Sequence, residues 1–337
     1  MNAAAIAHAV AGGLREDYFI TPAGQVYLRQ LGGNAVYATV GARLWSQSVG
    51  LVSRVGENYP ADWLETIAAR GIDAAGVAAV PAWLDTRTFY AYRSLEVRED
   101  TDPAAHFTRL GRPLPAELEG YATSTEGQES RTEYGPLAVR AEEVPERCLR
   151  VRGFHLAPYD YLVHRRLPAR LRAHGVRVLT CDPSVRYMRP DFATEVRDLL
   201  GAVDAFLPSE MEARGFLPNL GPDLWPATEA FAAMGPRCVV IKLGARGQFV
   251  FDAAHGRRWH VPAYPAEVRD VTGAGDAYCG GFMVGLEQTG DPVEAALRGT
   301  VAASMVVEGI GALYALDAPA GEAERRLARW RGEVKRM

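Results

Sequence analysis

The sequence feature that most constrains the fold is an alternation of short apolar runs with amphipathic stretches beyond about residue 150. The apolar runs lie at 153–158, 177–183, 205–208, 238–244 and 248–251. Helix-like stretches follow the first three runs, whereas the last two have the character of a buried strand and its partner. This order predicts a doubly wound α/β fold with a mostly parallel sheet and helices on both faces. Ligands in such sheets bind at the carboxyl ends of the strands.

The first third of the chain lacks a regular strand–helix alternation and contains short aromatic and β-branched segments at 17–20, 25–30 and 86–93. Such segments predict a small antiparallel sheet laid over the active edge of the larger one. We call this small sheet the lid and expect it to comprise residues of about 15–31 and 84–98.

A segment of about residues 99–147 follows the lid and is rich in Pro, Glu, Ser, Thr and Gly, without a sustained period. We call it the insertion and expect it to be partly flexible. The apolar residues before Arg15 predict a first buried strand. A chain of 337 residues can form one large domain, and we expect a single α/β domain over 1–337 that carries the lid and the insertion.

The composition excludes several classes of partner and site. A formal net charge of −4 gives no basic footprint for nucleic acid. The apolar N-terminal segment has no basic start and is too short to span a bilayer, so no membrane association is expected. The four cysteines lie far apart and indicate neither a zinc site nor a disulfide framework, which favours reduced thiols in the cytoplasm. Neither of the two lysines precedes Ser or Thr, so a P-loop is excluded.

Two glycines and an acid mark a turn in the stretch RDVTGAGDAYCGGF at 269–282. Gly273 and Gly275 permit close backbone approach, and a buried helix with large apolar residues four apart follows. Unpaired N–H groups that open a helix bind anions, most often phosphate. The structural alternative is a glycine-rich helix entry capped by Asp276. A dinucleotide fingerprint is disfavoured because Tyr278 stands where its third glycine is needed.

An acid beside an anion-binding turn also suggests a chemical role. In phosphoryl transfer the protein mainly positions groups and stabilises charge, while a carboxylate accepts the proton of the attacking hydroxyl. Asp276, in the first turn of the expected helix, has the right chemistry for that base.

A second glycine cluster, LGGNAVYATVGARLW, occurs at 31–45. Gly32 and Gly33 permit close backbone approach, and Asn34 offers both donors and an acceptor, so the turn suits a polyol. The structural alternative is a tight turn in which Asn34 is the N-cap of the helix that follows.

The two glycine clusters contribute GGNA at 32–35 and DVTGAGDA at 270–277, and two further segments are VGLVSRVG at 49–56 and GID at 71–73. Together these four segments resemble the ribokinase-like carbohydrate kinases, the PfkB family. The resemblance extends from about His8 to Ala312 and is weakest over the insertion. It implies a ribokinase-like fold with a β-sheet lid, and an enzyme that uses ATP and Mg²⁺, with a monovalent cation as a further cofactor.

The resemblance also implies roles for individual residues. Asp276 is expected to be the catalytic base. The anion hole for the transferred phosphate would comprise Gly273, Ala274 and Gly275, with Thr272 at its rim. Asp17 resembles the family's early acid that grips sugar hydroxyls, and Gly33 and Asn34 match its sugar-binding turn.

The nucleotide side of the site is implied in the same way. The stretch KLGARG resembles the strand and turn beneath the nucleotide, with Lys242, Gly244 and Gly247 at the matching positions. Glu212 matches the acid of an Asn-x-x-Glu motif linked to magnesium and phosphate. The chain departs from that motif at Ser209, a shorter residue in place of the asparagine, whose role near the phosphates would weaken or pass to water.

We therefore expect a kinase that transfers the γ-phosphate of ATP to a hydroxymethyl group of a sugar or nucleoside. Fructose, ribose, a sugar phosphate and a nucleoside all stay open as acceptors, and Arg87 or Arg93 of the lid could bind a phosphate already present. The alternative from another class is a non-catalytic ligand-binding or scaffold protein, motivated by Ser209 and the insertion. The aromatic lid further predicts a homodimer through the lid, unless the insertion covers that surface within one chain.

Overall fold

A computed structural model describes residues 6–95, 97–123 and 125–337. Its strands are β1 His8–Ala11, β2 Arg15–Ile20, β3 Val26–Gly32, β4 Val49–Gly56, β5 Ile72–Val80, β6 Arg87–Tyr92, β7 Arg98–Glu99, β8 Gly153–Leu156, β9 Val178–Cys181, β10 Ala205–Phe206, β11 Cys238–Lys242, β12 Gln248–Asp252, β13 Arg257–Val261 and β14 Lys335–Arg336. Its α-helices are α1 Asn34–Arg43, α2 Ala61–Ala69, α3 Pro103–Arg109, α4 Glu146–Leu149, α5 Tyr161–Ala173, α6 Ala193–Leu200, α7 Glu210–Phe216, α8 Trp225–Ala232, α9 Ala274–Thr289, α10 Pro292–Val306 and α11 Glu322–Trp330. Within these residues, no helix combines the length and the apolar character needed to cross a membrane.

The described strands form two separate sheets. The larger sheet has ten strands in the order β14-β13-β12-β11-β10-β9-β8-β1-β4-β5. From β11 to β5 every pair is parallel, whereas β12, β13 and β14 add antiparallel strands at one edge. The prediction of a mostly parallel sheet is therefore confirmed. The buried first strand that the N-terminal segment predicts is β1, an interior strand of this sheet between β8 and β4.

Alternate residues of β11 belong to hydrophobic cores on opposite faces of the sheet. Val239 and Ile241 lie in the core that includes residues of α5, α6 and α8. Cys238 and Val240 lie in the core that includes residues of α9 and α10. Because successive side chains of a strand point to opposite faces, a strand covered on both sides must be apolar throughout. This requirement produces the continuous apolar runs seen in the sequence.

Helices α1 and α9 approach each other closely enough for their backbones to touch. A β-carbon on Gly41 would lie 1.9 Å from the carbonyl oxygen of Ala277, and one on Gly280 would lie 1.7 Å from that of Ala38. Larger side chains do not fit at either glycine, so the two backbones pack directly against each other. This contact joins the two helices that begin at the two glycine clusters.

The lid is a four-stranded sheet in the order β3-β2-β6-β7 and uses the two predicted segments. The prediction of an antiparallel lid is wrong in one respect, because β2 and β6 pair in parallel. Several elements of the larger sheet separate these two strands along the chain, so no hairpin dictates their relative direction.

The insertion packs on the face of the lid that points away from the active edge. The cluster comprises Tyr18, Ile20, Phe89 and Ala91 of the lid with Phe107 and Leu118 of the insertion. The rings of Phe89 and Phe107 are 6.4 Å apart. Successive side chains of β6 point to opposite faces of the lid. Tyr92 therefore lies on the face opposite Phe89, where its hydroxyl forms a hydrogen bond with the Thr272 hydroxyl at 2.7 Å. The insertion is thus ordered around the lid at this point, and its helix α3, which the sequence did not reveal, carries Phe107.

The contact between α1 and α9 gives a direct test of the fold. Gly280→Ala should lower the free energy of unfolding by about 1–3 kcal/mol, because the added methyl overpacks the interface. Gly332→Ala is the matched control, since no atom lies within 4 Å of a β-carbon there, and its effect should stay within about 0.5 kcal/mol. Urea unfolding of both variants makes the comparison. Equal stabilities would show that α1 and α9 can separate without cost.

Candidate active site

Three neighbouring parallel strands present polar residues at one edge of the sheet. Asp182 follows β9, Ser209 lies beyond β10, and Lys242 ends β11, and Ser209 and Lys242 form a parallel bridge. The carboxyl ends of parallel strands meet at one edge, and α9 begins beside them. A β-carbon on Gly275 would lie 3.7 Å from the Lys242 Nζ. The predicted anion turn and the end of β11 are therefore neighbours.

The turn before α9 has the geometry expected of an anion site. Gly273 is the N-cap with φ 75° and has no side chain with which to cap the helix. The Asp276 carboxylate lies near its own backbone N–H, which lowers its pKa, so the alternative in which Asp276 caps the helix stays a prediction. A β-carbon on Gly273 would overlap the Tyr37 ring, at 2.0 Å from its Cγ. The Ala274 N–H donates to the carbonyl of Val271 at 3.2 Å. The anion donors that remain in this first turn are therefore the N–H groups that follow Ala274.

Asp276 lies in the first turn of α9, where it is partly exposed. Desolvation raises its pKa, the charges of Lys242 and Arg98 oppose that rise, and the charge of Glu212 adds to it. A carboxylate whose pKa is raised accepts a proton more readily than an ordinary one. The environment of Asp276 therefore suits a general base.

Lys242 and Asp182 form a buried ion pair next to Asp276. The Lys242 ammonium donates to the Asp182 carboxylate and, at 3.4 Å, to the Cys279 Sγ. Burial alone would lower the pKa of Lys242, but the carboxylates of Asp182 and Glu212 raise it above its ordinary value. Sequence reasoning placed Lys242 beneath the nucleotide but missed Asp182. Its position directly after the apolar run of β9 was the signal that could have found it.

Ser209 and Glu212 form a closed capping box at the start of α7. Ser209 donates from its backbone N–H at 2.7 Å and from its hydroxyl at 2.8 Å to the Glu212 carboxylate. The Glu212 N–H donates in return to the Ser209 Oγ at 3.3 Å. The serine that departs from the family motif therefore fixes Glu212 in place.

Thr272 connects the anion turn to the lid. Its hydroxyl and its N–H donate to the Asp270 carboxylate at 2.7 Å and 2.9 Å. The Tyr92 hydroxyl then donates to the Thr272 Oγ1 at 2.7 Å. Sequence reasoning placed Thr272 at the rim of the turn but did not identify Asp270. Through the hydrogen bonds of Thr272 to Asp270 and to Tyr92, the turn before α9 is linked to the lid.

Asp17 of β2 lies at the other end of the site, beside the first glycine cluster. It is 2% exposed, and the Gly33 N–H lies near its carboxylate. Desolvation raises the pKa of Asp17 to about 7, against the effects of the Gly33 N–H and of the Arg15 charge. A β-carbon on Gly32 would overlap the Asp17 carboxylate, at 1.8 Å from its Oδ2. The glycine pair thus makes room for the acid.

Asn34 has a mainly structural set of contacts. Its Oδ1 accepts from the Gly13 N–H at 2.8 Å, and its Nδ2 donates to the Pro158 carbonyl at 2.6 Å. The N-cap of α1 is Gly33, so the alternative with Asn34 as the N-cap is wrong. The amide ties the ends of β1 and β8 together and keeps one N–H for a ligand.

Three buried polar atoms around Asp17 have no hydrogen-bond partner among the described residues: Asp17 Oδ1, Tyr59 OH and Thr88 Oγ1. Thr88 is the residue opposite Asp17 in the pairing of β2 with β6. Buried polar atoms are nearly always satisfied by protein, water or ligand. Their grouping therefore marks the surroundings of Asp17 as a candidate site for a polar molecule. Tyr59 and Thr88 were not predicted, because no local pattern singles them out.

The predicted nucleotide turn follows Lys242 directly. Gly244 begins a single 3₁₀ turn, Gly244–Arg246, that connects β11 to β12. Gly247 closes it with φ 84°, and its carbonyl accepts from the Leu243 N–H at 2.8 Å. The two glycines thus shape a tight turn at the same edge as Lys242.

The residues that could hold a magnesium ion are acids on either side of Lys242. The described residues contain no group of three or more His, Cys, Asp or Glu side chains placed to hold a metal. The Asp182 Oδ1 is nevertheless buried without a partner, and Glu212 is close enough to influence it. Mg²⁺ commonly takes only one or two carboxylates and relies on substrate phosphates for the rest. Asp182 and Glu212 fit that pattern.

A sequence profile described as the pfkB family of carbohydrate kinases matches residues 148–319, about half of the chain. The chain belongs to the PfkB family. It is similar to the cytidine kinase of Thermococcus kodakarensis, with 27% identity over 289 residues that cover 86% of this chain and 91% of that protein.

Two solved structures have the same overall fold. A putative ribokinase II from E. coli, solved with ATP and Mg²⁺, superimposes with a TM-score of 0.71 at 19% identity and covers 96% of this chain and 99% of its own. The nucleoside kinase of Burkholderia thailandensis, solved with inosine, gives a TM-score of 0.69 at 16% identity and covers 98% of this chain and 100% of its own. The ribokinase-like fold implied by the sequence is confirmed.

The ion pair at the end of β11 can be tested through stability alone. Lys242→Met should lower the free energy of unfolding by about 3–5 kcal/mol at pH 8, because Asp182 is left buried without its cation. The loss should shrink as the pH falls, because burial raises the pKa of Asp182 and a protonated acid needs no cation.

Two further variants complete this test. The double variant with Asp182→Asn should recover most of the loss, since the buried charge is then absent. Lys335→Met, at an exposed lysine of β14, is the matched control and should change stability by less than about 0.5 kcal/mol. A loss that is the same at pH 5 and pH 8 argues against an unpaired carboxylate as its cause.

Proposed function

We propose that the chain is a kinase that transfers the γ-phosphate of ATP to a hydroxymethyl group of a small polyol, either a sugar or a nucleoside. The observation that carries the proposal is the position of Asp276, in the first turn of α9 beside the uncapped N–H groups and next to Lys242. The named relatives support it, since they are kinases of a nucleoside or of the ribokinase type.

The acceptor binds between the lid and the start of α1 in this proposal. Asp17 accepts hydrogen bonds from acceptor hydroxyls through Oδ1, which has no partner among the described residues. Gly33 keeps the acid in place, and the remaining N–H of Asn34 donates to a further hydroxyl. The hydroxymethyl group then reaches Asp276, which accepts its proton as the oxygen bonds to phosphorus. The bond to the β-phosphate breaks in the same transfer and releases ADP.

The phosphate binds at the turn 273–275 and at Lys242. The N–H groups of the first turn of α9 donate to its oxygens, and the ammonium of Lys242 offsets the charge that develops there. Mg²⁺, when bound, neutralises phosphate charge, and Asp182 and Glu212 are the residues that would hold it. Gly244 and Gly247 shape the turn on which the nucleotide rests. A role for a monovalent cation stays a prediction of the resemblance.

The competing proposal, a non-catalytic ligand-binding or scaffold protein, has less support. It was motivated by Ser209 and by the insertion. Ser209 is fully used in fixing Glu212, and the insertion packs on the outer face of the lid. Neither feature obstructs Asp276, and a binding protein has no need of a base at that position.

Asp276→Asn tests the proposed base. Turnover of ATP with an acceptor should fall by roughly 10² to 10⁴, the usual contribution of a positioned base, while acceptor affinity changes little. Asp62→Asn is the matched control, because Asp62 also lies in the first turn of a helix but on the exposed face of α2. An Asp276→Asn enzyme that keeps more than about a tenth of the wild-type turnover, with chemistry rate-limiting, would exclude this role.

For the assembly, we propose that the insertion covers the lid within one chain and that the protein is a monomer. The alternative is the homodimer through the lid. Two lids would pair if their aromatic residues stayed exposed to solvent within one chain. Phe89, however, packs against Phe107 of the insertion, and Tyr92 contacts Thr272. The edge strand β3 is the part of the lid through which pairing stays possible, since Leu28 is 37% exposed there.

Light scattering at micromolar concentration distinguishes the two assemblies. A monomer gives a mass near 36.6 kDa, and Phe107→Asp should cause association by uncovering the apolar face of the lid. Met211→Asp, at an exposed methionine outside the lid, should leave the mass unchanged. A wild-type mass near twice that of one chain would establish the homodimer instead.

A further inference from the structure

Arg15, at the start of β2, is a buried cation without an acidic partner. It is 7% exposed and is the buried arginine of the described part of the chain. Its Nη1 donates to the Leu14 carbonyl at 3.0 Å, and no described carboxylate oxygen lies within 4.0 Å of its guanidinium nitrogens. The guanidinium lies over Gly13, where an added β-carbon would be 2.8 Å from its Cζ. Most of its N–H donors are therefore unused by protein acids.

The two lid arginines suggested by the sequence as phosphate ligands are occupied. Arg87 donates to the Asp85 carboxylate at 2.7 and 2.9 Å and to the Glu117 carbonyl at 2.7 Å. Arg93 pairs with Glu99 at 2.5 Å. Arg87 and Arg93 are thus held by ion pairs with acids of the lid region, and phosphate binding by either one stays a prediction. Arg15, by contrast, is buried and has no ion pair with a described carboxylate.

Arg15 lies beside the glycine turn of the proposed acceptor site, since a β-carbon on Gly33 would lie 2.7 Å from the Arg15 backbone nitrogen. Burial raises the pKa of both Asp17 and Asp160, and the charge of Arg15 opposes that rise in each. The cations that most affect Asp276 are instead Lys242 and Arg98. The charge of Arg15 therefore acts on the acids near the glycine turn, whereas Lys242 and Arg98 act on Asp276.

A second hydrogen-bond donor, the hydroxyl of Tyr59, lies near Asp17 and Arg15. The hydroxyl of Tyr59 is buried without a partner, and its pKa is raised by burial and by the nearby charge of Asp17, so it stays protonated. Arg15 is close enough for its charge to act on this hydroxyl. A guanidinium without a carboxylate partner and a buried hydroxyl without an acceptor, both among the described residues, form a donor set for an anion.

We propose that the acceptor of this kinase carries an anionic group, which Arg15 binds together with Tyr59, in addition to the hydroxymethyl group that is phosphorylated. The inference rests on the proposed function and narrows its substrate class. Asp17 and Asp160 lie close by, so one buried cation balances a singly charged carboxylate better than a phosphate dianion. A sugar acid with a free hydroxymethyl group is therefore the favoured class.

The first experiment compares acceptors that differ only in charge and uses the wild-type protein. Gluconate and glucitol form one pair, and fructose 6-phosphate and fructose form another, with cytidine as the neutral nucleoside. ATP turnover and thermal shift are measured for each. We expect at least one anionic acceptor, gluconate or fructose 6-phosphate, to exceed its neutral partner by about tenfold or more in kcat/KM. The pair with the larger ratio shows whether the site prefers a carboxylate or a phosphate.

The second experiment assigns the preference to Arg15. Arg15→Met should raise the KM for the anionic acceptor by about 10- to 100-fold, with kcat and ATP affinity little changed and the neutral partner unaffected. Arg15→Lys should restore part of the loss, since it keeps the charge without the planar fork. Arg93→Met is the matched control in the lid and should behave as wild type.

The outcomes separate this inference from the proposed function. If cytidine or another neutral acceptor is phosphorylated best, and Arg15→Met does not change the order of acceptors, the inference is overturned while the kinase proposal stands. If no acceptor in the set stimulates ATP turnover, both are contradicted. Should Arg15→Met fail to fold, the wild-type comparison of charged and neutral partners still decides the question.

Discussion

The direct backbone contact between α1 and α9 is the constraint on which the site depends. Gly41 and Gly280 let the helices approach so closely that no side chain separates them. Both helices begin at a glycine-rich turn, and Tyr37 of α1 lies against Gly273 at the start of α9. The acceptor end and the phosphate end of the proposed site therefore form on one rigid unit. Precise placement of this kind is what phosphoryl transfer mainly requires of a protein.

The sequence revealed those parts of the site that depend on local backbone geometry. The turn at Gly273 and the acid Asp276 could be predicted because a tight turn, a helix start and a carboxylate occur within four residues. The lid strands could also be predicted from their composition. Their pairing could not, because the parallel alignment of β2 with β6 is decided by tertiary packing rather than by a hairpin.

The residues that the sequence did not reveal act through long-range contacts. Asp182 matters because Lys242 is placed next to it by neighbouring strands. Asp270 matters because it orients Thr272, which in turn meets Tyr92 of the lid. Arg15 differs from the other described arginines in its burial. Those are properties of the folded chain, and no spacing in the sequence encodes them.

The distribution of charge explains how the site tolerates the serine in place of the family asparagine. Glu212 and Asp182 place negative charge near Asp276, and burial raises the pKa of Asp182 and Asp276. Lys242 offsets this charge from the end of β11, directly beside the anion turn. Ser209 can then use both of its donors to fix Glu212, because a cation nearby already faces the proposed phosphate site. In that proposal the shorter residue changes which group would meet the phosphate, while the acid keeps its position.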